Sequence, residues 1–177
     1  KKSGLTNNKV FVVRGHEANQ FIRTDVEYFE NETYLDTNSA HSLFCAESAM
    51  SDGFLLIYSD ILFDETLVKR LLDCEADIVL LLDKSYRYHT RDVNKRLDLV
   101  IADRNDTNNI RSLTVDPLRN ISWIGKQIPR QENTYEFVGM GLFSERGATI
   151  LKDVYSKSNS RKPSPFHEAP TFDQASF

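Results

Sequence analysis

Two apolar segments separated by one helix-length segment constrain the fold of this chain most. FLLIY (54–58) and DIVLLLD (77–83) are continuous runs with the length and composition of strands covered on both faces. Between them, Asp64 can cap a helix in which Leu67 and Leu71 lie on one face. Strand, helix and strand in this order are typical of a parallel sheet. The two segments therefore predict an α/β fold.

Segments nearer the N-terminus extend the pattern. KVFVVRGH (9–16) and VEYFEN (26–31) are rich in the β-branched and aromatic residues typical of strands. Asn38 or Ser39 can cap a helix that continues to about Met50. Strands and helices thus alternate through the first half of the chain, as in a Rossmann-like, doubly wound sheet.

The second half changes character after a polar, Tyr- and Arg-rich segment at 85–96. Three short strand-like segments follow, namely LDLVIADR, IRSLTVDP and NISWIGKQI. The turn residues between them predict a small antiparallel insertion. YEFVGMGLF (135–143) is typical of a long strand, and Ser144 can cap the helix after it. We expect one α/β domain over residues 1–177, with a mainly parallel, doubly wound sheet and a small antiparallel insertion.

The two ends of the chain indicate a longer protein. The opening KKSGLTNNK is typical of a helix that runs into a turn, and FHEAPTFDQASF stops without a closing element. We therefore expect the domain to be truncated at both ends.

Charge and hydropathy argue against several classes of partner. The chain has 26 acidic and 22 basic residues, a formal net charge of −4, and the basic residues are interspersed. Binding to nucleic acid needs a clustered basic face, so we expect none. The apolar runs fall far short of the roughly 20 residues that span a bilayer, and the start lacks a signal-peptide pattern. We expect a cytoplasmic protein with no membrane partner.

Cysteine and histidine spacing gives no metal or triad motif. Cys45 and Cys74 lack CxxC spacing and lie in apolar segments, which favours buried, reduced thiols. The four histidines have no metal-ligand spacing, and no Ser/His/Asp order stands out. Neither a zinc site nor a hydrolase triad is favoured.

Asp60 follows directly on the apolar segment FLLIY. In open parallel sheets, ligands bind outside the carboxyl ends of the strands, and a carboxylate there can hold Mg²⁺. Asp60 can equally begin a turn, and the pattern alone leaves both interpretations open. Lys126 is open in the same way, because it can neutralise a substrate phosphate or be a solvated surface lysine.

Several segments in order resemble the nucleotidyltransferase family, which makes activated head groups from nucleoside triphosphates. They are YLDTNSAHSLFCAESAM, FLLIYSDILFDETLVKRLL, ADIVLLLDKSY, RDVNKRLDLVIAD, ISWIGKQI and YEFVGMGLFSERGATIL. The resemblance is closest to the cytidylyltransferase-type domain associated with phosphoenolpyruvate mutase in phosphonate biosynthesis. It covers nearly the whole chain and implies a fold of the nucleotide-diphospho-sugar transferase type.

The resemblance implies roles for particular residues. The family's Gly-Asp pair corresponds to Ser59-Asp60, so Asp60 would bind the catalytic Mg²⁺ and Ser59 would lie beside the nucleotide. The polar residues that would line the nucleotide pocket are Asn38, Ser39 and Ser42. Lys126 would act in catalysis and contact the acceptor's phosphate, and the remaining residues implied on the acceptor side are Glu136 and Gly139.

The implied reaction transfers CMP from CTP to a phosphonate such as 2-aminoethylphosphonate, with release of pyrophosphate and with Mg²⁺ as cofactor. Fusion to a phosphoenolpyruvate mutase domain is a further implication, and the oligomeric state, including a homo-oligomer, stays open. The sequence departs from the family at Ser59, where the family has glycine, and lacks the glycine-rich loop and Pro-Lys pair that hold the triphosphate.

Two alternatives stay open at the level of sequence. A sugar-1-phosphate nucleotidylyltransferase would recognise a hydroxyl-rich acceptor in place of a phosphonate. A non-catalytic, regulatory nucleotidyltransferase-like domain would explain the glycine-to-serine change at Ser59. A panel of acceptor substrates distinguishes the first alternative from the phosphonate cytidylyltransferase. Nucleotidyltransferase activity of any kind excludes the second.

Overall fold

The computed structural model describes residues 9–89, 97–103, 118–125, 128–129 and 134–159. The strands are β1 (Phe11–Arg14), β2 (Glu27–Glu30), β3 (Phe54–Ile57), β4 (Ile78–Asp83), β5 (Leu99–Ala102), β6 (Ile121–Gly125) and β7 (Thr134–Phe143). The α-helices are α1 (Ser39–Cys45), α2 (Glu65–Leu72), the single turn α3 (Tyr86–His89) and α4 (Glu145–Asn159). Short 3₁₀ turns lie at Ala18–Gln20 and Glu47–Ala49.

The long strand β7 organises a five-stranded sheet. Its residues 141–143 pair with both β3 and β4, so these two strands lie on opposite sides of β7. Both are antiparallel to β7, and they therefore run in the same direction as each other. The start of β7 pairs with β5, and β6 continues the sheet beyond β5.

The α/β class is confirmed, but the expected mainly parallel sheet is corrected. Every pairing within the five-stranded sheet of the described residues is antiparallel. The physical reason is that β7 runs antiparallel to β3 and β4 and lies between them, so these two strands do not pair in parallel with each other. The antiparallel β5 and β6 join the same sheet through β7. The middle segment of the predicted insertion, 110–117, lies outside the described residues.

A separate two-stranded sheet is formed by β1 and β2, which pair in parallel. Arg14 joins their ends, because it donates to the Glu30 carboxylate at 2.7 Å and its guanidinium lies 4.2 Å from the ring centroid of Tyr28. Helix α1 packs against both strands. The two predicted N-terminal strands are therefore confirmed, with their pairing parallel as expected.

Helices cover both faces of the larger sheet. On one face, Leu71 of α2 packs against Val79, Met140 and Leu142. On the other face, Phe44 of α1 and Leu151 of α4 pack against Phe143. Leu142 and Phe143 are neighbours on β7, and the alternation of side chains along a strand puts them on opposite faces. Described helices therefore lie against both faces of the larger sheet.

Individual helix ends also follow the sequence. The Asp64 side chain accepts a 2.8 Å hydrogen bond from the backbone N–H of Thr66 and so caps α2. The Ser144 hydroxyl accepts from the backbone N–H of Gly147 at 3.0 Å and caps α4. The helix predicted to reach Met50 ends as α1 at Cys45, and a 3₁₀ turn replaces its last part.

Both cysteines are free, as predicted, but they are half-buried and not fully buried as expected. Burial raises the pKa of the Cys45 and Cys74 thiols, which keeps them protonated at neutral pH. Within the described part of the chain, each helix is too short or too polar to cross a lipid bilayer.

A bulge interrupts β7 at Gly139. Between Leu80 and Leu82, β4 advances by two residues while its partners on β7 run from Gly141 to Phe137. Gly139 has a φ of +82°, the region that favours glycine. Bulges of this kind bend a strand and often lie beside functional sites. The bulge therefore makes the region around Gly139 a candidate for the functional site.

Candidate functional site

Asp60 lies just beyond the carboxyl end of β3, as the sequence predicted. It is exposed, and within the described residues no hydrogen bond or ion pair engages its carboxylate. The helix after it is capped by Asp64 instead, so capping does not explain Asp60. Its neighbour Ser59 is also exposed in the same turn. The carboxylate is therefore available to a ligand.

Tyr58 connects several of the predicted residues around Asp60. Its backbone N–H donates to the carbonyl oxygen of Gly139 at 2.8 Å, which continues the β3–β7 pairing into the bulge. Its ring meets Phe137 edge-on, with 5.9 Å between centroids. Its hydroxyl donates to Ser39 Oγ at 3.5 Å, at the long end of the hydrogen-bond range. Tyr58 thus brings Ser39, Gly139 and the Asp60 turn together.

Asp98 is a second carboxylate close to this tyrosine. Burial raises the pKa of the Tyr58 phenol, and the negative charges of Asp98 and Asp60 raise it further. Asp98 immediately precedes β5, and its carbonyl oxygen accepts from the backbone N–H of Phe137 at 2.8 Å. Two carboxylates from different strand ends therefore act on the same phenol.

The start of α1 carries three of the four predicted nucleotide-binding residues, and the fourth, Ser59, lies beside Asp60. Asn38 is buried and caps the helix, with its side-chain oxygen accepting from the backbone N–H of His41 at 3.2 Å. Ser42 is half-buried, and its hydroxyl accepts a 3.0 Å hydrogen bond from Asn31. Ser39 is exposed and faces Tyr58. Of the three residues, only Ser39 is both exposed and joined to the Asp60 side of the structure.

Asn31 fixes this helix start from the end of β2. It is 2% exposed, and its amide group donates to Thr37 Oγ1 at 2.9 Å and to Ser42 Oγ at 3.0 Å. Its carbonyl oxygen accepts from the backbone N–H and the hydroxyl of Thr33. Every hydrogen-bonding group of the Asn31 side chain is used, so the loop between β2 and α1 is held in one arrangement.

The predicted acceptor-side residues lie on β7. Glu136 is half-buried, opposite Asp83 of β4 on one side and Leu99 of β5 on the other. Gly139 is buried, and Tyr58 covers it. Glu136 and Gly139 therefore share one strand but lie on either side of Phe137. Lys126 lies outside the described residues, and its predicted role in catalysis and acceptor binding remains a prediction.

The Tyr- and Arg-rich segment contributes a buried anchor at its start. Tyr86 is 1% exposed, and its hydroxyl is 2.6 Å from Thr134 Oγ1 at the start of β7. Tyr86 packs with Leu97 and Leu99, which precede and begin β5. Tyr86 is therefore a packing residue of this core cluster.

Sequence reasoning did not select Tyr58, Asp98 or Asn31. Tyr58 is the last residue of FLLIY and was interpreted as part of a buried strand. Asp98 precedes an apolar strand as Asp77 does, and its position near Tyr58 depends on the pairing of β5 with β7. Asn31 ends the segment VEYFEN, where an asparagine most simply indicates a turn.

Carboxylate oxygens are suitable ligands for Mg²⁺, which typically binds one or two protein carboxylates and keeps several waters. Asp60 supplies one exposed carboxylate with no partner in the described residues, and Asp98 lies near the same phenol. The described residues contain no group of three or more His, Cys, Asp or Glu side chains placed to hold a metal. The donor set therefore fits a lightly coordinated ion better than a fully protein-ligated one.

Comparison with curated proteins found similarity to the CTP:phosphoglutamine cytidylyltransferase of Campylobacter jejuni. The two share 28% identity over 97 residues, which is 49% of this chain and 38% of that protein. The chain thus spans well under half the length of this relative. No protein-family model matches the chain. The similarity supports the resemblance to cytidylyltransferase-type nucleotidyltransferases and does not bear on phosphoenolpyruvate mutase.

Proposed function

We propose that this chain is part of a cytidylyltransferase that transfers CMP from CTP to a small phosphonate, such as 2-aminoethylphosphonate, and releases pyrophosphate. The observation that carries the proposal is the grouping of Ser39, Asp60 and Gly139 around Tyr58. These three come from separate segments of the resemblance, with nucleotide, metal and acceptor roles. The similarity to a cytidylyltransferase supports the same reaction class.

The reaction is an in-line displacement at phosphorus. An anionic oxygen of the acceptor forms a bond to the α-phosphorus of CTP, while the bond from that phosphorus to the bridging oxygen of the β-phosphate breaks. The bridging oxygen takes the electron pair and leaves as part of pyrophosphate. The attacking oxygen carries no proton at neutral pH, so the protein needs no general base. Positioning and neutralisation of charge supply the catalysis.

Asp60 would hold the Mg²⁺ ion, and Asp98 is placed to contribute to the same region. When bound, Mg²⁺ neutralises charge on the α-phosphate and on the leaving pyrophosphate. Lys126 would bind the anionic end of the acceptor. The chain has a formal net charge of −4, so binding of a polyanionic nucleotide requires such local positive charge.

The nucleotide and acceptor would lie on opposite sides of Tyr58. Ser39, at the start of α1, is on the nucleotide side, together with Asn38 and Ser42. Glu136 and the backbone at Gly139 are on the acceptor side. Ser59 takes the place of a glycine, and its exposed hydroxyl lies beside Asp60, where it can hydrogen bond to a phosphate oxygen.

We also propose that the fold is of the nucleotide-diphospho-sugar transferase type. Parallel pairing of β1 with β2, the common direction of β3 and β4, and helices on both faces of the sheet support this. In folds of this class, ligands bind at the carboxyl ends of the parallel strands. Asp60 lies at that end of β3.

Pyrophosphate release by the full-length protein tests the function. The four nucleoside triphosphates are each combined with 2-aminoethylphosphonate, phosphocholine, phosphoglutamine and glucose 1-phosphate, with Mg²⁺ present. The proposal expects release with CTP and the phosphonate. Release only with glucose 1-phosphate would favour a sugar nucleotidylyltransferase, and no release with any pair would favour the non-catalytic alternative.

Asp60→Ala and Asp60→Asn test the metal role. Both variants should lose turnover by at least about a hundredfold, because neither can place a carboxylate on the ion. Asp52→Asn is the matched control, since Asp52 is an exposed aspartate just before the other end of β3. Unchanged turnover in both Asp60 variants would refute the metal role.

A further inference from the structure

We infer that Tyr58 is a positioning residue that sets the spacing between the nucleotide-binding Ser39 and the acceptor-binding segment of β7 at Gly139. This inference rests on the proposed function and adds to it a residue that the resemblance did not assign. It is argued from the contacts of the Tyr58 backbone, ring and hydroxyl, which each reach a different part of the site.

The ring and Gly139 fit each other with no space to spare. A Cβ atom built on Gly139 would lie 2.4 Å from Tyr58 Cγ and Cδ2 and 2.8 Å from Tyr58 Cβ. Because Tyr58 Cβ is fixed to the backbone, a rotation of the ring alone cannot relieve that clash. Together with the 2.8 Å hydrogen bond from the Tyr58 backbone N–H to the Gly139 carbonyl oxygen, this contact fixes the position of the β7 bulge relative to the end of β3.

The hydroxyl at the far end of the same side chain reaches Ser39. The separation of 3.5 Å is long for a hydrogen bond, as is common for contacts that tighten when a substrate binds. The edge-on contact with Phe137 restricts the ring from the β7 side. The rigid side chain of Tyr58, just before the Asp60 turn, thus contacts both the bulge of β7 and the start of α1.

The hydroxyl is the part of the side chain that reaches Ser39. A phenol ordinarily titrates at about pH 10, so it is a hydrogen-bond donor throughout the neutral range. A phenylalanine at this position would keep the ring contacts and lose only the donor.

In-line transfer makes such spacing consequential. The acceptor oxygen and the α-phosphorus must approach within reacting distance in one orientation, and a displacement of about 1 Å can lower the rate about a hundredfold. A residue that spans the two binding regions therefore affects kcat, whereas a residue that contacts only one substrate affects mainly the KM for that substrate.

Steady-state kinetics of the full-length protein separate these contributions. Tyr58→Phe loses the link to Ser39, so it should lower kcat about threefold to fivefold, the range for one ordinary hydrogen bond, and change the KM for CTP less than twofold. Tyr58→Ala should lower kcat at least about tenfold, because the bulge loses its support. Tyr28→Phe is the control. Tyr28 lies on β2, in the other sheet, and its hydroxyl accepts a hydrogen bond from the backbone N–H of Arg23.

Coupling to Gly139 gives the second measurement. Gly139→Ala should lower kcat/KM. In the double variant Gly139→Ala, Tyr58→Ala, the fold-reduction in kcat/KM should be smaller than the product of the two single reductions, because the added Cβ no longer meets a ring. If the effects multiply, or if both Tyr58 variants match the wild type, the inference is wrong. Should Gly139→Ala fail to fold, the Tyr58 pair alone decides, through the split between KM and kcat.

Failure of the inference is distinguishable from failure of the proposed function. A wild-type protein that transfers CMP while its Tyr58 variants are unaltered overturns only the role of Tyr58. A wild-type protein that neither binds CTP nor releases pyrophosphate overturns both.

Discussion

The carbonyl oxygen of Gly139 accepts a 2.8 Å hydrogen bond from the backbone N–H of Tyr58, and the tyrosine ring covers the glycine. This contact joins the end of β3 to the bulge of β7. It explains why a residue with a polar tip follows the apolar strand β3, and why the facing strand has a glycine with positive φ at that point. Ser59 and the exposed Asp60 follow Tyr58 directly in the sequence.

Gly139→Ala should lower the free energy of unfolding by about 2 kcal/mol or more. A positive φ costs a non-glycine residue about 1–2 kcal/mol, and the Cβ adds a clash with Tyr58. Gly141→Ala is the control on the same strand, because its φ is not positive and the Cβ meets chiefly the flexible end of Leu80. Chemical denaturation of both variants measures the difference, and equal losses would contradict the explanation.

Asn31→Ala should lower the free energy of unfolding by about 1–3 kcal/mol. The substitution removes a buried amide that both donates and accepts, so partners such as Ser42 Oγ lose a hydrogen bond. Asn120→Ala is the control, since its 3.0 Å bond to Asp103 is exposed and its loss should cost less than about 0.5 kcal/mol. A loss no larger than that of the control would show that the network does not hold the α1 start.

Asp64 should contribute stability that depends on pH. Hydrogen bonds from the Thr66 hydroxyl and backbone N–H hold the pKa of Asp64 below its ordinary value of 3.8. A carboxyl whose pKa is lower in the folded state stabilises it above the unfolded pKa, and this contribution is lost as the pH falls through the folded pKa. The melting temperature of Asp64→Ala should therefore lie below that of the wild type at pH 7.

The same comparison at low pH supplies the test. The difference between wild type and Asp64→Ala should shrink as the pH falls below about 4, where the charged cap is lost. Asp64→Asn keeps a cap acceptor without the charge, so its deficit should be smaller at pH 7 and nearly independent of pH. A constant deficit for Asp64→Ala across the range would exclude a contribution from the charge.

Tyr58 should titrate later than an ordinary tyrosine. Its pKa is raised by burial and by Asp98 and Asp60, and burial likewise raises the pKa of Tyr155. A group with a raised folded pKa contributes stability that is complete below the unfolded pKa, near 10.0, and is lost as the pH rises through the folded pKa. Alkaline unfolding should therefore begin above pH 10.

Ultraviolet difference absorbance follows this titration directly. Tyr58→Phe and Tyr155→Phe should each remove one late-titrating phenol. A wild-type protein in which all phenols ionise together near pH 10 would contradict the burial of both tyrosines.

Mg²⁺ should raise the melting temperature of the full-length protein in the presence of CTP, because a ligand that binds the folded state stabilises it. The shift should be absent in Asp60→Ala, whose melting temperature without Mg²⁺ should match that of the wild type, since no described residue bonds to the Asp60 side chain. An equal Mg²⁺-dependent shift in the variant would exclude Asp60 as a ligand.

Much of the local structure could be predicted because it depends on neighbouring residues. Asp64 and Ser144 cap helices through side-chain bonds to residues two or three positions later, and such signals are complete within one turn. The apolar runs at β3 and β4 form strands, as their continuous β-branched and leucine composition predicted, although most of their side chains are half-buried. The position of Asp60 at the end of β3 follows from the same local pattern.

Strand pairing could not be predicted in the same way. The sequence order suggested that β3 and β4 pair in parallel, yet β7 lies between them, more than fifty residues further along the chain. A continuous apolar run indicates burial on both faces but does not specify a neighbour. For this reason the predicted mainly parallel sheet was wrong for the larger sheet, while the α/β class was right.

By itself, the sequence determined which segments form strands and helices, where the helices are capped, and that a carboxylate follows β3. Only the tertiary structure decided that Tyr58 lies on Gly139, that Asp98 and Asp60 both act on Tyr58, and that Asn31 holds the start of α1. The reason is that hydrophobic burial and helix capping depend on residue type and short spacing, whereas these contacts depend on how distant strands meet, and the bulge of β7 sets that geometry.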